Sequence, residues 1–120
     1  MPVIRSSEIP AQEIMGTRLE FLAGPATGAS EVVAIRGVVS AGATFPAHSH
    51  DHEEVLYFLS GSGTYTIGED TSAVSAGDVI VVPSGVLHDF ETAEGLDAIG
   101  ILPAGTKTFA PDGSELSLGT

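Results

Sequence analysis

An all-β barrel or sandwich is the fold class this sequence predicts, on three observations. Helical periodicity is nearly absent. Short apolar runs bounded by Gly, Pro, Ser and Asp recur along the whole chain, and their spacing accommodates seven or more strands. A sheet with one apolar face has to close or stack to bury it, so a barrel or sandwich follows.

The elements run in order, each ended by residues that favour turns. Thr17 to Leu22 stops at "GPATGAS", and Glu31 to Ser40 stops at "SAGATFP". Val55 to Leu59 and Thr64 to Ile67 flank "SGSG", and "GED" follows the second. Asp78 to Val82 lies between "SAGD" and "PSG". Val86 to Thr92 and Leu96 to Leu102 are separated by "AEG". The tail from Pro103 carries three glycines and two prolines, so it lies on the surface or adds one edge strand. No internal repeat or linker interrupts the series, and residues 1–120 read as one domain.

Two strands are apolar on both parities. In "EVLYFL", Leu56 and Phe58 share one face, with Val55, Tyr57 and Leu59 on the other; "DVIVVP" behaves alike. An antiparallel strand with one wet face alternates, so the second face here needs a cover. The chain's own termini are one candidate and a homodimer burying one sheet against a second copy is the other.

Composition closes several function classes. Sixteen acidic residues against four basic ones give a formal charge of −12, which repels nucleic acid and anionic membrane surfaces. Without cysteine there are no disulfides, thiolate metal sites or thiol nucleophiles. "MPVIRSSEIP" reads as no secretory signal, and no apolar run approaches the roughly 20 residues that span a bilayer. A soluble cytoplasmic protein is the expectation.

Against that acidic background, "HSHDHEE" places three of the four histidines at 48, 50 and 52 and two glutamates at 53 and 54. Side chains two apart on a strand point the same way, so His48 and His50 can converge on one ion. Glu54 is four residues beyond His50, about 13 Å along a straight strand, and reaches the same point only if the chain bends at 51–53. His88, the remaining histidine, shares parity with Phe90 after the "PSG" turn and is the expected fourth ligand. His52 is expected at the rim or against a ligand's outer side, and Glu53 in solvent.

These residues resemble a known family. Gly42, His48, His50, Glu54 and Gly61 stand as G-x5-H-x-H-x3-E-x6-G, similar to the first cupin motif, over residues 42–61. Gly77, Pro83, Gly85 and His88 stand as G-x5-P-x-G-x2-H, similar to the second, over residues 77–92. The short separation between them resembles that of small microbial cupins. Thr92 stands where the second motif usually has Asn, which bears on local hydrogen bonding more than on the fold. The resemblance implies a small single-domain cupin of the conserved barrel type, a jelly-roll double-stranded β-helix. It also implies a metal inside the barrel held by His48, His50, Glu54 and His88.

Other motifs are closed. Leu56 stands where H-E-x-x-H would need its second histidine, "GSG" lacks the rest of a nucleotide fingerprint, and no G-x-S-x-G elbow exists. Arg36 interrupts the apolar strand "EVVAIRGVV" and has two readings. It is paired with Glu31, Glu54 or Asp97, or it stands in the barrel mouth and holds a substrate carboxylate.

Three imidazoles and a carboxylate suit one divalent transition ion, Mn, Fe, Co, Ni, Cu or Zn, with two of six positions open. Parity predicts a pocket lined by Phe45, Leu56, Phe58 and Phe90, with Ile80 and Val82 as further members and His52 and Arg36 near its mouth. A small organic molecule fits such a pocket. The resemblance implies dioxygenase, isomerase or lyase chemistry, with a non-catalytic metal- or ligand-binding module as the alternative.

Overall fold

The computed structural model describes residues 3–117. Its strands are β1 (Ala11–Ile14), β2 (Thr17–Ala23), β3 (Val32–Val39), β4 (Thr44–His50) and β5 (Glu54–Ile67). They continue with β6 (Asp70–Ser75), β7 (Val79–Val82), β8 (His88–Glu91), β9 (Leu96–Pro103), β10 (Thr108–Phe109) and β11 (Glu115–Leu116). Two short 3₁₀ turns, Ser6–Glu8 and Pro25–Thr27, are the helical elements among the described residues. No described helix is long and apolar enough to cross a membrane. The architecture is a mostly β, curled antiparallel sheet, as the expected jelly roll requires.

The curl is carried by β5. Its first half, from Glu54 to Tyr57, pairs with β7, and Val55 to Gly61 pairs with β9. Its second half pairs with β6 and β8. The hydrogen-bonded path therefore runs β1-β2-β3-β9-β5-β8-β4-β10-β11 around one interior. "SGSG" is not the turn its composition suggests, because it lies within this 14-residue strand. There the register with β9 shifts between Phe58 and Ser60, and Gly61 adopts φ 82°. A Cβ at Gly61 would stand 2.1 Å from the Gly95 carbonyl oxygen, so only glycine permits the close approach that bends the strand. The shift also exchanges parity: Glu54, Leu56 and Phe58 are buried before it and Tyr65 after it.

The interior is apolar between the two halves of the sheet. Phe58 is fully buried at 0% exposure and packs edge-on to Tyr65 at 5.6 Å between ring centroids. Tyr65 stacks on Phe90 at 5.3 Å. Burying a ring such as Phe58 stabilises the fold by roughly 1.5–3 kcal/mol. Thr92 occupies its unusual position productively: its hydroxyl donates to the Ser62 carbonyl at 2.7 Å and accepts from the Gly95 amide at 2.9 Å. It thereby ties the bend of β5 to the β8–β9 turn.

Among the described residues, the segments near the two termini extend the sheet edges rather than covering its outer face. β1 pairs with β2, and the tail contributes two short strands, β10 pairing with β4 and β11 with β10. On the outer face Tyr57, Val79, Val81 and Ile101 remain 43–55% exposed.

Candidate metal centre

His48 and His50 lie on the inward face of β4, and the chain reverses over residues 51–53 so that Glu54 opens β5 toward the same interior. A second turn, Pro83 to Gly85, is anchored by the Gly85 amide donating to the His50 carbonyl at 2.7 Å. It delivers His88 to the first position of β8, directly opposite His48. All four side chains are buried, at 8% or less exposure for the whole residue. The nearest ring nitrogens of His48, His50 and His88 lie within 4.8 Å of one another. Glu54 Oε1 is 3.5 Å from His50 Nε2 and 3.4 Å from His88 Nε2.

The outer nitrogens of the three rings are each engaged. His48 Nδ1 donates to the Pro46 carbonyl at 2.8 Å, and His88 Nδ1 donates to the Val86 carbonyl at 3.1 Å. A carbonyl only accepts, so the neutral ring carries its proton on Nδ1 and its lone pair on Nε2. His50 Nδ1 lies 2.9 Å from the Thr108 hydroxyl, which is itself buried. The inner nitrogens are the converse case: Nε2 of His50 and of His88 are buried with no hydrogen-bond partner. Unpaired buried polar atoms are costly, and two of them beside a buried carboxylate fit the donor set of a transition ion.

Protonation agrees with that fit. Burial lowers the His48 pKa to about 4, assisted by the neighbouring His88 and His50 and opposed by the Pro46 carbonyl. For Glu54, burial pushes the pKa up, and where the His50 and His88 rings turn Nε2–H or positive charge toward it they outweigh burial and bring it down to about 2. Near neutral pH the cluster thus offers a neutral His48 imidazole and an ionised Glu54, the forms that ligate metals.

Beside the cluster lies a cavity of about 110 Å³. Phe45, Leu56 and Phe90 line it, as parity suggests. Phe58, Ile80 and Val82 do not: they share the inward face but are packed into the core, and the cavity wall passes them by. His52 is also elsewhere. Its side chain is half exposed and its Nδ1 meets Asp51 Oδ1 at 2.9 Å, outside the lining. Glu53 is exposed.

Of its two readings, Arg36 takes the ion-paired one and does not stand in the barrel mouth. On β3 the cavity takes Ile35, Gly37 and Val39, so alternation sends Arg36 to the outer face. There it clasps Asp97 with two bonds, Nε to Oδ1 at 2.9 Å and a terminal nitrogen to Oδ2 at 2.6 Å, and reaches Glu20 at 3.4 Å. Its pKa is raised, chiefly by the hydrogen bond to Asp97.

Three polar lining residues escape a reading of the sequence, Thr17, Tyr65 and Thr108, together with the apolar Leu19, Ile35, Gly37, Val39, Leu96, Ala98, Gly100 and Leu102. The parity change between Phe58 and Ser60 hides Tyr65. Thr108 lies in the tail, and reaches His50 only because the Asp51 carboxylate accepts from the Lys107 amide at 2.8 Å and fastens that segment across β4.

Comparison with known proteins gives the lineage. The family model described as "Cupin domain" matches residues 36–101. An uncharacterised protein of Streptomyces coelicolor is 38% identical over 52 residues, covering 43% of this chain and 50% of that protein. Acireductone dioxygenase 1 of Coprinopsis cinerea is 36% identical over 56 residues, covering 42% of this chain and 32% of that protein. These matches span half or less of each curated relative. Among solved structures, the polyketide cyclase RemF of Streptomyces resistomycificus superposes with a TM-score of 0.79 at 23% identity, covering 99% of this chain and 87% of that one. The last likeness is one of fold. Both motif segments fall within or across the matched span, which takes in more than half of the sequence, and the chain belongs to the cupin domain family.

Proposed function

We propose that His48, His50, Glu54 and His88 hold one divalent transition ion, Mn, Fe, Co, Ni, Cu or Zn, and that the chain is a metal-dependent enzyme acting on a small organic molecule. The observation that carries this reading is the pair of orphaned imidazole nitrogens, buried His50 Nε2 and His88 Nε2, facing the Glu54 carboxylate. When bound, the ion supplies Lewis acidity and, if redox-active, a site for oxygen chemistry. The protein's own part is to fix the rings through Pro46, Val86 and Thr108, to keep Glu54 ionised, and to exclude water with Phe45, Leu56 and Phe90.

No acid or base other than the four ligands lines the cavity among the described residues, Tyr65 apart. Burial pushes the Tyr65 pKa up, so its hydroxyl stays protonated and serves as a donor. Chemistry at this site is therefore centred on the metal. The partial match to acireductone dioxygenases favours an oxygenase over an isomerase or lyase. Metal analysis of the purified protein, followed by oxygen uptake with diols, diketones and thiols on the iron- and nickel-loaded forms, tests the proposal. Turnover that disappears in His88→Ala is expected. Bound metal with no turnover of any class would return the chain to a ligand-binding module.

A homodimer belongs to the same proposal. Tyr57 is opposite Val79, Val55 is opposite Val81 and Ile101, and the patch they form is uncharged on a chain of net charge −12. Two copies of so acidic a protein meet with least repulsion on that face. Sedimentation should show a dimer in the wild type and a monomer in Val81→Lys; a wild-type monomer at tens of micromolar would refute it.

A further inference from the structure

We propose that the cavity is a channel for an elongated, uncharged molecule whose far end presents a hydrogen-bonding oxygen to Thr17; the inference rests on the metal reading and names its substrate class. The inward-facing rungs of the sheet define the channel. Leu56 is opposite Gly100, and Gly100 is opposite Ile35. The next rung holds Phe58, Ala98, Gly37 and Leu19, and the one after it Leu96, Val39 and Thr17. Glu54 packs over the Gly100 rung, where a Cβ would stand 2.7 Å from Glu54 Oε2. Thr17 is two rungs further on, about 14 Å along the strands.

Between these two ends β9 and β3 contribute Gly100, Ala98 and Gly37 to the wall, small residues set among the larger Ile35, Leu19 and Leu56 where a barrel interior ordinarily carries large aliphatic side chains throughout. Gly37 is the informative one. Its φ is not positive, and a Cβ there would meet only Leu19 and Thr17 at 3.9 Å, an ordinary contact. Neither backbone conformation nor crowding requires glycine, and glycine inside a strand weakens the sheet. What its missing side chain provides is room in the cavity. Thr17 supplies the polar end: it is 2% exposed, lines the cavity, and its hydroxyl has no hydrogen-bond partner. A buried hydroxyl left alone destabilises the fold, and a ligand oxygen would satisfy it.

The same wall excludes charge. The chain's four cations are Arg5, Arg18, Arg36 and Lys107, and none lines the cavity. Arg5, Arg18 and Lys107 are exposed, and Arg36 is committed to Asp97 and Glu20 outside. A carboxylate or phosphate at the Thr17 end would be desolvated with no side-chain cation beside it, about 14 Å along the strands from the metal site.

Three probes of one skeleton test the inference: 4-(2-hydroxyethyl)catechol, 4-ethylcatechol and 3,4-dihydroxyphenylacetate. Their vicinal oxygens chelate alike, so differences among them report the channel. Titration calorimetry on the zinc-loaded protein should rank the hydroxyethyl compound at least fivefold tighter than the ethyl one and tenfold tighter than the carboxylate. Thr17→Val should abolish the first ratio. Gly37→Val, or Gly37→Ala should the valine variant not fold, should weaken both neutral probes at least fivefold while zinc affinity stays within twofold. A carboxylate probe that binds as well as the neutral ones, or neutral probes indifferent to Gly37, would overturn the channel alone. Zinc that does not bind the wild type would overturn the metal reading and the channel with it.

Discussion

Thr108→Val isolates the support of a single imidazole. The Thr108 side chain is 1% exposed and its hydroxyl lies 2.9 Å from His50 Nδ1. With Nε2 as the ligand atom the His50 proton sits on Nδ1, and that hydroxyl is the acceptor within reach of it. Valine preserves the volume and removes the acceptor. The buried N–H is then unsatisfied, which costs the metal-free fold about 1–3 kcal/mol. It also frees the ring to carry its proton on Nε2 or to rotate, and loss of such a partner typically weakens metal binding roughly 10- to 100-fold. The assay is competition for zinc against a chromophoric chelator, with urea unfolding of the metal-free protein alongside. Zinc affinity within twofold of the wild type would refute the reasoning, because His50 would then need no orientation from the tail.

Other perturbations bear on the same geometry. Gly100→Ala places a methyl group 2.7 Å from Glu54 Oε2 and 3.2 Å from Leu56, so it should displace the carboxylate, cost about 1–3 kcal/mol of stability and weaken zinc binding; unchanged affinity in the same competition assay would contradict this. Acid should destabilise the metal-free protein. The His48 pKa is about 4 when folded against about 6.5 when unfolded, so only the unfolded chain gains that proton as pH falls between these values. The loss is of the order of 3 kcal/mol, and lowering the pH further toward 2 removes the contribution of Glu54 as well. A melting temperature flat from pH 7 to 4 would be the contrary result. Arg36→Leu should cost about 1 kcal/mol, as befits a half-exposed ion pair, and leave ligand affinity unchanged. A large loss of affinity on calorimetry would restore Arg36 to the site.

The sequence and the structure agree best where spacing on strands decides the outcome. His48, His50 and His88 were legible because period-two alternation and two turns, 51–53 and 83–85, suffice to aim them. Glu54 was legible for the same reason. What stayed hidden depends on contacts between distant segments. Thr108 meets His50 through a 58-residue separation that no local pattern records. Tyr65 turns inward because the register shift between Phe58 and Ser60 exchanges the parity of β5, and "SGSG" just beyond it reads as a turn just as readily as a bulge. Arg36 went to the outer face by plain alternation. Asp97 was one of three acidic candidates for its partner, whereas Glu20 comes from a neighbouring strand whose pairing was not readable from the sequence. The polar strands β1 and β6 carried too little apolar signal to be recognised, β4 begins inside "SAGATFP", which was read as a turn, and the tail, read as surface or one edge strand, supplies two short ones.

X-ray absorption on the zinc- or nickel-loaded protein tests the central claim most directly, since imidazole rings leave a countable multiple-scattering signature. The account predicts one ion per chain with three imidazoles, those of His48, His50 and His88, and a short metal–oxygen contribution that weakens in Glu54→Gln. One imidazole should vanish in His88→Ala. A spectrum with fewer than three imidazoles in the wild type, or one that His88→Ala leaves unchanged, would contradict it.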